Sequence, residues 1–203
     1  MGPLQANFYL VHDLEGGTGF VIDPGGDAGL IMESAREAGV TIEAVMITHG
    51  HHDHLGAAAE LAAATGAEIC GSAEVAMVLA EPDRYALFPG LPQVAPGKVD
   101  RLLEGGETLD FGGLEAQAIA TPGHSPGSIT YFTAGGLFCG DLLFHGSIGR
   151  TDLPGGSFDE LAGSVKKLIL AYPPDTVVYP GHGNTTTLAE EKEKNPFLTD
   201  LGW

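Results

Sequence analysis

Residues 49–54 read His-Gly-His-His-Asp-His, and no other stretch restricts what this chain can become so tightly. Imidazole nitrogens and carboxylate oxygens are the usual protein ligands of divalent transition metals. His49, His51, Asp53 and His54 concentrate that donor chemistry in one short segment. The apolar run before them, residues 44–48, reads as a buried strand, and residues 55–65 after them read as a helix. Alternation along an extended segment leaving the strand would place His49, His51 and Asp53 on one side, with His54 turned toward a second position. A helical His-Glu-x-x-His zinc site does not fit, because no glutamate follows the first histidine.

More donors recur where apolar runs end. His124 lies in Thr121-Pro122-Gly123-His124, Asp141 follows Phe138-Cys139-Gly140, and His182 follows Tyr179-Pro180-Gly181. Each comes after a glycine, which lets the backbone turn sharply and approach closely. A lone histidine at such a boundary is usually a turn residue. The repetition of strand, small residue and ligand is what points to one shared site.

Taken in order, Thr48-His49-x-His51-x-Asp53-His54, Gly123-His124, Gly140-Asp141 and Gly181-His182 resemble the signature of the metallo-β-lactamase superfamily. The resemblance runs over nearly the whole chain. Residues 146–156 and the terminal Asn195-Pro196-Phe197-Leu198 are similar to the compact glyoxalase-II-like branch, that of hydroxyacylglutathione hydrolases. The resemblance implies an α/β fold, an αββα sandwich of two mixed β-sheets with helices outside; periodicity alone supports only mixed α and β. It also implies two divalent metal ions, zinc foremost, with iron or manganese compatible with the same donors. His49, His51 and His124 would hold the first, Asp53, His54 and His182 the second, and Asp141 would bridge them. Such pairs sit roughly 3.5–4 Å apart and share a water acidified to a pKa of about 7. Asp53 and Asp141 would position that water as the catalytic carboxylates. Cys139, two residues before Asp141, is expected to be a small buried hydrophobe rather than a ligand.

Hydroxide aimed at a carbonyl produces a tetrahedral oxyanion that a Lewis acid stabilises. A thiolate leaves without much protonation, which suits a site built of ligands with no evident general acid. The expected substrate is therefore a small-molecule thioester of the S-lactoylglutathione kind. Arg150 is the only Lys or Arg between Leu102 and Val165, and a guanidinium suits a carboxylate of the substrate. Its competing role is an ion pair with Asp152. His145, next to the same motif, and Asn184, where the branch places a tyrosine, are the remaining substrate-binding candidates. The further helical domain that contributes glutathione contacts in full-length glyoxalase II is not expected here, so the pocket should be more open.

A rival reading comes from persulfide dioxygenases of the same superfamily, which use a single iron and resemble the chain at Gly149-Arg150-Thr151-Asp152 and residues 190–196. Neither a β-lactamase nor a non-catalytic metal-binding module is the expectation.

Composition is compatible with this. The 203 residues, 43% hydrophobic, are expected to form one domain over 1–203. A net charge of -18 argues against nucleic acid as a partner. No stretch suggests a membrane span or an export signal, and two cysteines suggest reduced thiols, hence the cytoplasm. Helices are expected over 27–38, 55–65, 73–80, 158–171 and 188–194, with strands between them. Residues 81–98, rich in proline and glycine and carrying Tyr85, Leu87 and Phe88, are expected to form a lid.

Overall fold

Which way each strand residue points decides the architecture. In a computed structural model describing residues 1–13, 17–87 and 93–199, β1 (Tyr9–His12), β2 (Gly17–Ile22), β3 (Val40–Met46), β4 (Glu68–Gly71) and β5 (Arg101–Leu102) form one sheet in that order. The first pair is antiparallel and the others are parallel. Phe20 and Ile22 of β2, with Ala44 and Met46 of β3, face inward, while Val21 and Val45 face the opposite side. Both faces are apolar because both are covered. Outside, the sheet packs on α1 (Ala28–Ala38), α3 (Ala58–Thr65) and α4 (Ala73–Ala80) through Ile31, Ala35, Leu61, Val75 and Leu79.

Inside, it meets the second sheet, built from β6 (Thr108–Phe111), β7 (Leu114–Ala120), β8 (Ile129–Thr133), β9 (Gly136–Gly140), β12 (Val177–Pro180) and β13 (Thr186–Thr187). Leu109, Phe111, Ala116, Ala118, Ile129, Tyr131 and Phe138 supply its half of the shared core. Its outer residues Ile119, Leu137, Cys139 and Val178 pack on α5 (Phe158–Ala171) and α6 (Leu188–Lys194). The result is the expected αββα sandwich with two mixed sheets. A two-stranded hairpin, β10 (Leu143–Phe144) with β11 (Ser147–Ile148), projects after β9. No helix among the described residues is long and apolar enough to cross a membrane.

The helices follow their local signals. Ser157 and Thr187 accept the amides of Glu160 and Glu190, closing the starts of α5 and α6, and Ser72 does the same for Val75 in α4. The single helix expected over 55–65 is instead broken into α2 (His52–Leu55) and α3. The amide of Ala57 donates to the carbonyl of Pro24 rather than to its own helix, which ends α2 after one turn. β3 begins at Val40, four residues ahead of the apolar run, and the Val-Thr-Ile-Glu start alternates buried with exposed residues.

The two sheets are joined at one edge. The Ile129 amide of β8 donates to the Thr48 carbonyl just beyond β3, and the buried Tyr131 hydroxyl donates to the Ile47 carbonyl at 2.8 Å. Because β9 and β12 run parallel and side by side, their carboxyl ends reach the same edge. The β7–β8 turn reaches it too, since β8 is antiparallel to both of its neighbours. Tyr131→Phe should therefore leave a buried carbonyl unsatisfied and lower stability by about 1–3 kcal/mol. Urea unfolding checks this, and an unchanged midpoint would show that the bond contributes nothing.

Candidate metal centre

Every ligand candidate sits at that edge. His49 follows β3, and His51, with φ −77° and ψ 141°, is the last extended residue before α2. Asp53 and His54 lie within α2, so helical geometry rather than strand alternation aims them. His124 comes from the β7–β8 turn, Asp141 from the end of β9, and His182 from the end of β12.

The donors fall into two groups. In the first, His51 Nδ1 lies 3.1 Å from His49 Nε2 and 2.9 Å from His124 Nε2. In the second, Asp53 Oδ2 lies 3.2 Å from His182 Nε2 and 3.6 Å from His54 Nε2. Asp141 stands between them: its Oδ2 is 3.6 Å from His124 Nε2 and 3.7 Å from His182 Nε2, and its Oδ1 is 3.3 Å from His54 Nε2. Each group takes side chains from both sheets.

Hydrogen bonds assign the tautomers. The Thr48 hydroxyl donates to Asp23 Oδ2 at 2.6 Å, which leaves its oxygen to accept from His49 Nδ1 at 2.9 Å. His124 Nδ1 donates to the Arg150 carbonyl at 2.8 Å, and His54 Nδ1 donates to Asp23 at 2.9 Å. With Nδ1 thus occupied, each Nε2 presents a lone pair to the cluster, the usual outer-shell arrangement of metal-binding histidines. Lone pairs of His49 and His124 then converge on His51. In the second group His54 Nε2 and Asp141 Oδ1 are buried without a hydrogen-bond partner. Buried polar atoms left without a partner and facing lone pairs are costly unless an ion or a proton satisfies them. The His/Asp clusters fit a dinuclear metal site.

Electrostatics are consistent with the same donor set. Burial, reinforced by neighbouring imidazoles, pushes His49 well below the ordinary histidine range, and burial with His124 brings His51 down to about 4, so both are neutral ligands near pH 7. Burial opposes ionisation of Asp53 and Asp141. For Asp53 the His182 hydrogen bond and the His54 charge, and for Asp141 the charge and hydrogen bond of His54 with the charges of His124 and His182, together outweigh it and hold both carboxyls below their usual values. Burial would also neutralise His54, but the Asp141 and Asp23 carboxylates override it and raise its pKa well above normal. Cys139 packs among Leu137, Leu161 and Val165, its thiol pushed up to about 12 by burial. It belongs to none of the donor groups among the described residues.

A cleft of about 500 Å³ opens over the cluster, lined by His51, Asp53, His124, Asp141 and His182 together with Pro3, Leu4, Tyr85, Leu87, Arg150 and Leu153. Of the three substrate candidates it includes Arg150 alone. That guanidinium is half-exposed and bonded through Nε and one terminal nitrogen to both oxygens of Asp152, at 2.7 and 2.8 Å. His145 is exposed on the hairpin, 3.8 Å from Glu190, and Asn184 lines a separate depression with Asn7 and Tyr9. The lid expected over 81–98 falls partly on 88–92, Phe88 included, which lie outside the described residues. Before them, Pro82–Tyr85 forms a 3-10 turn held by His52, whose Nε2 lies 3.1 Å from the Pro82 carbonyl.

Several positioning residues carry no local signature. Asp23, read from sequence as part of a turn, is buried with φ 51° and accepts from the Thr48 amide, the Thr48 hydroxyl and His54. A carboxylate ending the apolar strand Phe20-Val21-Ile22 repeats the pattern of the ligands, and that was its signal. Asn7 holds the His182 loop through the carbonyls of Pro180 and Gly183. Two glycines are set by close approach: a Cβ on Gly25 would lie 1.7 Å from the Asp53 carbonyl oxygen, and one on Gly149 equally close to that of Asp141.

Fold and site together define a protein whose buried, open-mouthed His/Asp clusters, at the edge of an αββα sandwich, fit a dinuclear metal site. The chain belongs to the metallo-β-lactamase superfamily, whose model matches residues 1–182. It is 38% identical to hydroxyacylglutathione hydrolase GloC of Haemophilus influenzae, the match covering 96% of this chain and 93% of that protein. Among solved structures it is similar to the BLEG-1 B3 metallo-β-lactamase (TM-score 0.91, 35% identity, 98% and 97% covered). It is also similar to TTHA1623 in a di-iron-bound form (0.86, 40%, 98% of both) and to ETHE1 from Myxococcus xanthus (0.80, 29%, 95% and 79%).

Asp23→Asn would replace an acceptor by an amide N–H facing another donor. It should weaken metal binding by about 10–100-fold. Competition against a chelating indicator checks this, and an unchanged affinity would show that Asp23 does not orient His54.

Proposed function

We propose that the chain is a metal-dependent thioester hydrolase of the glyoxalase-II kind, with Asp141 shared between a His49/His51/His124 site and an Asp53/His54/His182 site. The observation that carries this reading is the position of Asp141 between the two donor groups, its Oδ2 within 3.7 Å of both His124 and His182 and its Oδ1 3.3 Å from His54. Divalent ions bound there would supply Lewis acidity and an acidified water. The chain's own contribution is orientation. Asp53 and Asp141 stay ionised and line the cleft, so they can accept a hydrogen bond from water and aim it. Outer-shell bonds from Thr48, Asp23 and the Arg150 carbonyl hold the imidazoles in one tautomer.

A thioester is favoured over an amide or phosphodiester because the cleft has little to offer a poor leaving group. Beyond the donor set, its described lining supplies Tyr85, Arg150, already bound to Asp152, and His52, whose Nε2 is occupied by Pro82. A thiolate leaves without a dedicated acid. The hydroxyacylglutathione hydrolase named among the relatives supports the same substrate class. Zinc or iron fits the all N/O donors, and the two buried thiols fit a cytoplasmic location.

The test is metal content per chain on untagged protein, with parallel assays on S-lactoylglutathione, glutathione persulfide with oxygen, and a β-lactam. Two ions and thioester turnover are expected. One iron with oxygen consumed on the persulfide would replace the reading with a dioxygenase, and β-lactam turnover alone would replace it with a lactamase. Asp141→Ala should lose bound metal and at least about 10³-fold in kcat/KM, equivalent to ~4 kcal/mol. Full activity in that variant would sink the shared-ligand arrangement.

A further inference from the structure

An apolar groove of about 310 Å³ leads away from the metal cleft, sharing Gly50, His51, Tyr85, Leu87 and Leu153 with it. Beyond them it continues past Met77 and Val78 of α4 to Pro126 and Pro154. Its one carboxylate, Glu74, is committed to the His124 loop, accepting from the Ser125 hydroxyl at 2.6 Å and the Gly127 amide at 2.8 Å. No lysine or arginine lines it among the described residues.

Two of the large apolar side chains left in water line this groove, and a third stands on the rim beside it. Met77 is 53% exposed and Leu87 38%, and Leu4, on the rim of the adjoining cleft, 49%. The wall is also anchored: His52, buried beneath the cleft, holds the 3-10 turn that carries Tyr85. An ordered apolar channel, continuous with the donor cluster at His51 and without a cation, suits a hydrocarbon and offers nothing to a carboxylate or phosphate.

We propose that this groove receives the acyl chain of the substrate, so that the preferred thioester carries an apolar acyl group of medium length rather than a small hydroxyacyl group. The assignment rests on the thioester-hydrolase reading for its chemistry, but the groove's affinity for an alkyl chain is measurable apart from turnover.

Two series on the metal-loaded protein test it: acetyl, butyryl, hexanoyl and octanoyl thioesters of N-acetylcysteamine for kcat/KM, and the matching S-alkyl thioethers, which cannot be hydrolysed, for Kd. Both constants should improve about two- to fourfold per added methylene, the upper figure corresponding to ~0.8 kcal/mol. Met77→Glu, at an exposed helical position that tolerates glutamate, should cut the octanoyl-to-acetyl ratio at least about tenfold, and Met77→Leu should retain it. A Kd independent of chain length overturns the groove even if the esters are hydrolysed, as does a steep series unaffected by Met77→Glu. Tightening thioether binding without ester turnover supports the groove and overturns the hydrolase reading instead.

Discussion

The metal centre depends on how two sheets are docked. The His49/His51/His124 and Asp53/His54/His182 groups each take two side chains from the segment that leaves the first sheet and one from a loop of the second, with Asp141 of the second sheet between them. A slip of one sheet against the other would separate His124 from His51 and His182 from Asp53. The bonds from Ile129 to Thr48 and from Tyr131 to Ile47 cross between the sheets directly beside the ligands. Phe20, Met46, Tyr131 and Phe138, packed close by, make such a slip costly because interiors deform little without losing contacts. Docking and ligation are thus one constraint.

Gathering this many imidazoles and carboxylates at a buried edge creates an electrostatic problem that the chain solves only in part. Asp23 answers half of it, spreading its charge over the Thr48 amide, the Thr48 hydroxyl and His54. The Asp141 and Asp23 carboxylates favour a proton on His54 when no ion is bound, raising its pKa well above normal against burial. An ion takes the place of that proton, so binding it is coupled to proton release. What remains unsolved, the lone pairs of His49 and His124 facing His51, is what divalent cations satisfy.

The clustered donors were legible in the sequence because the residue types are chemically scarce and most follow the end of an apolar strand. The sandwich came from resemblance, since Val21 and Val45 look no different from Ile22 and Met46 until a second sheet and a layer of helices assign them faces. Alternation failed at Asp53 because α2 already begins at His52, so helical geometry aims Asp53 together with His54. β10, β11 and β13, two residues each, are too short to carry a period. The supporting shell was the least legible. Asp23 lies 25 residues from Thr48 and 31 from His54, and Asn7 lies 173 from Pro180. The bond that orients His124 ends on a backbone carbonyl, where the side chain of Arg150 has no say.

That last contact changes what the Gly149-Arg150-Thr151-Asp152 segment means. The obvious reading assigns its value to the guanidinium as a carboxylate receptor. In the structure Gly149 lets the backbone pass against the Asp141 carbonyl, the Arg150 carbonyl fixes a ligand, and the guanidinium is bound by Asp152 at the rim. An exposed ion pair of this kind is screened by solvent and worth little, so an anionic substrate can exchange with Asp152 at low cost but gains little from doing so. The segment is therefore primarily metal-site architecture. On the proposed function, discrimination between substrates would fall to the apolar surfaces around it, from Leu4 and Tyr85 to Leu153. Two proteins sharing the segment can then keep the same metal geometry and differ in what they turn over.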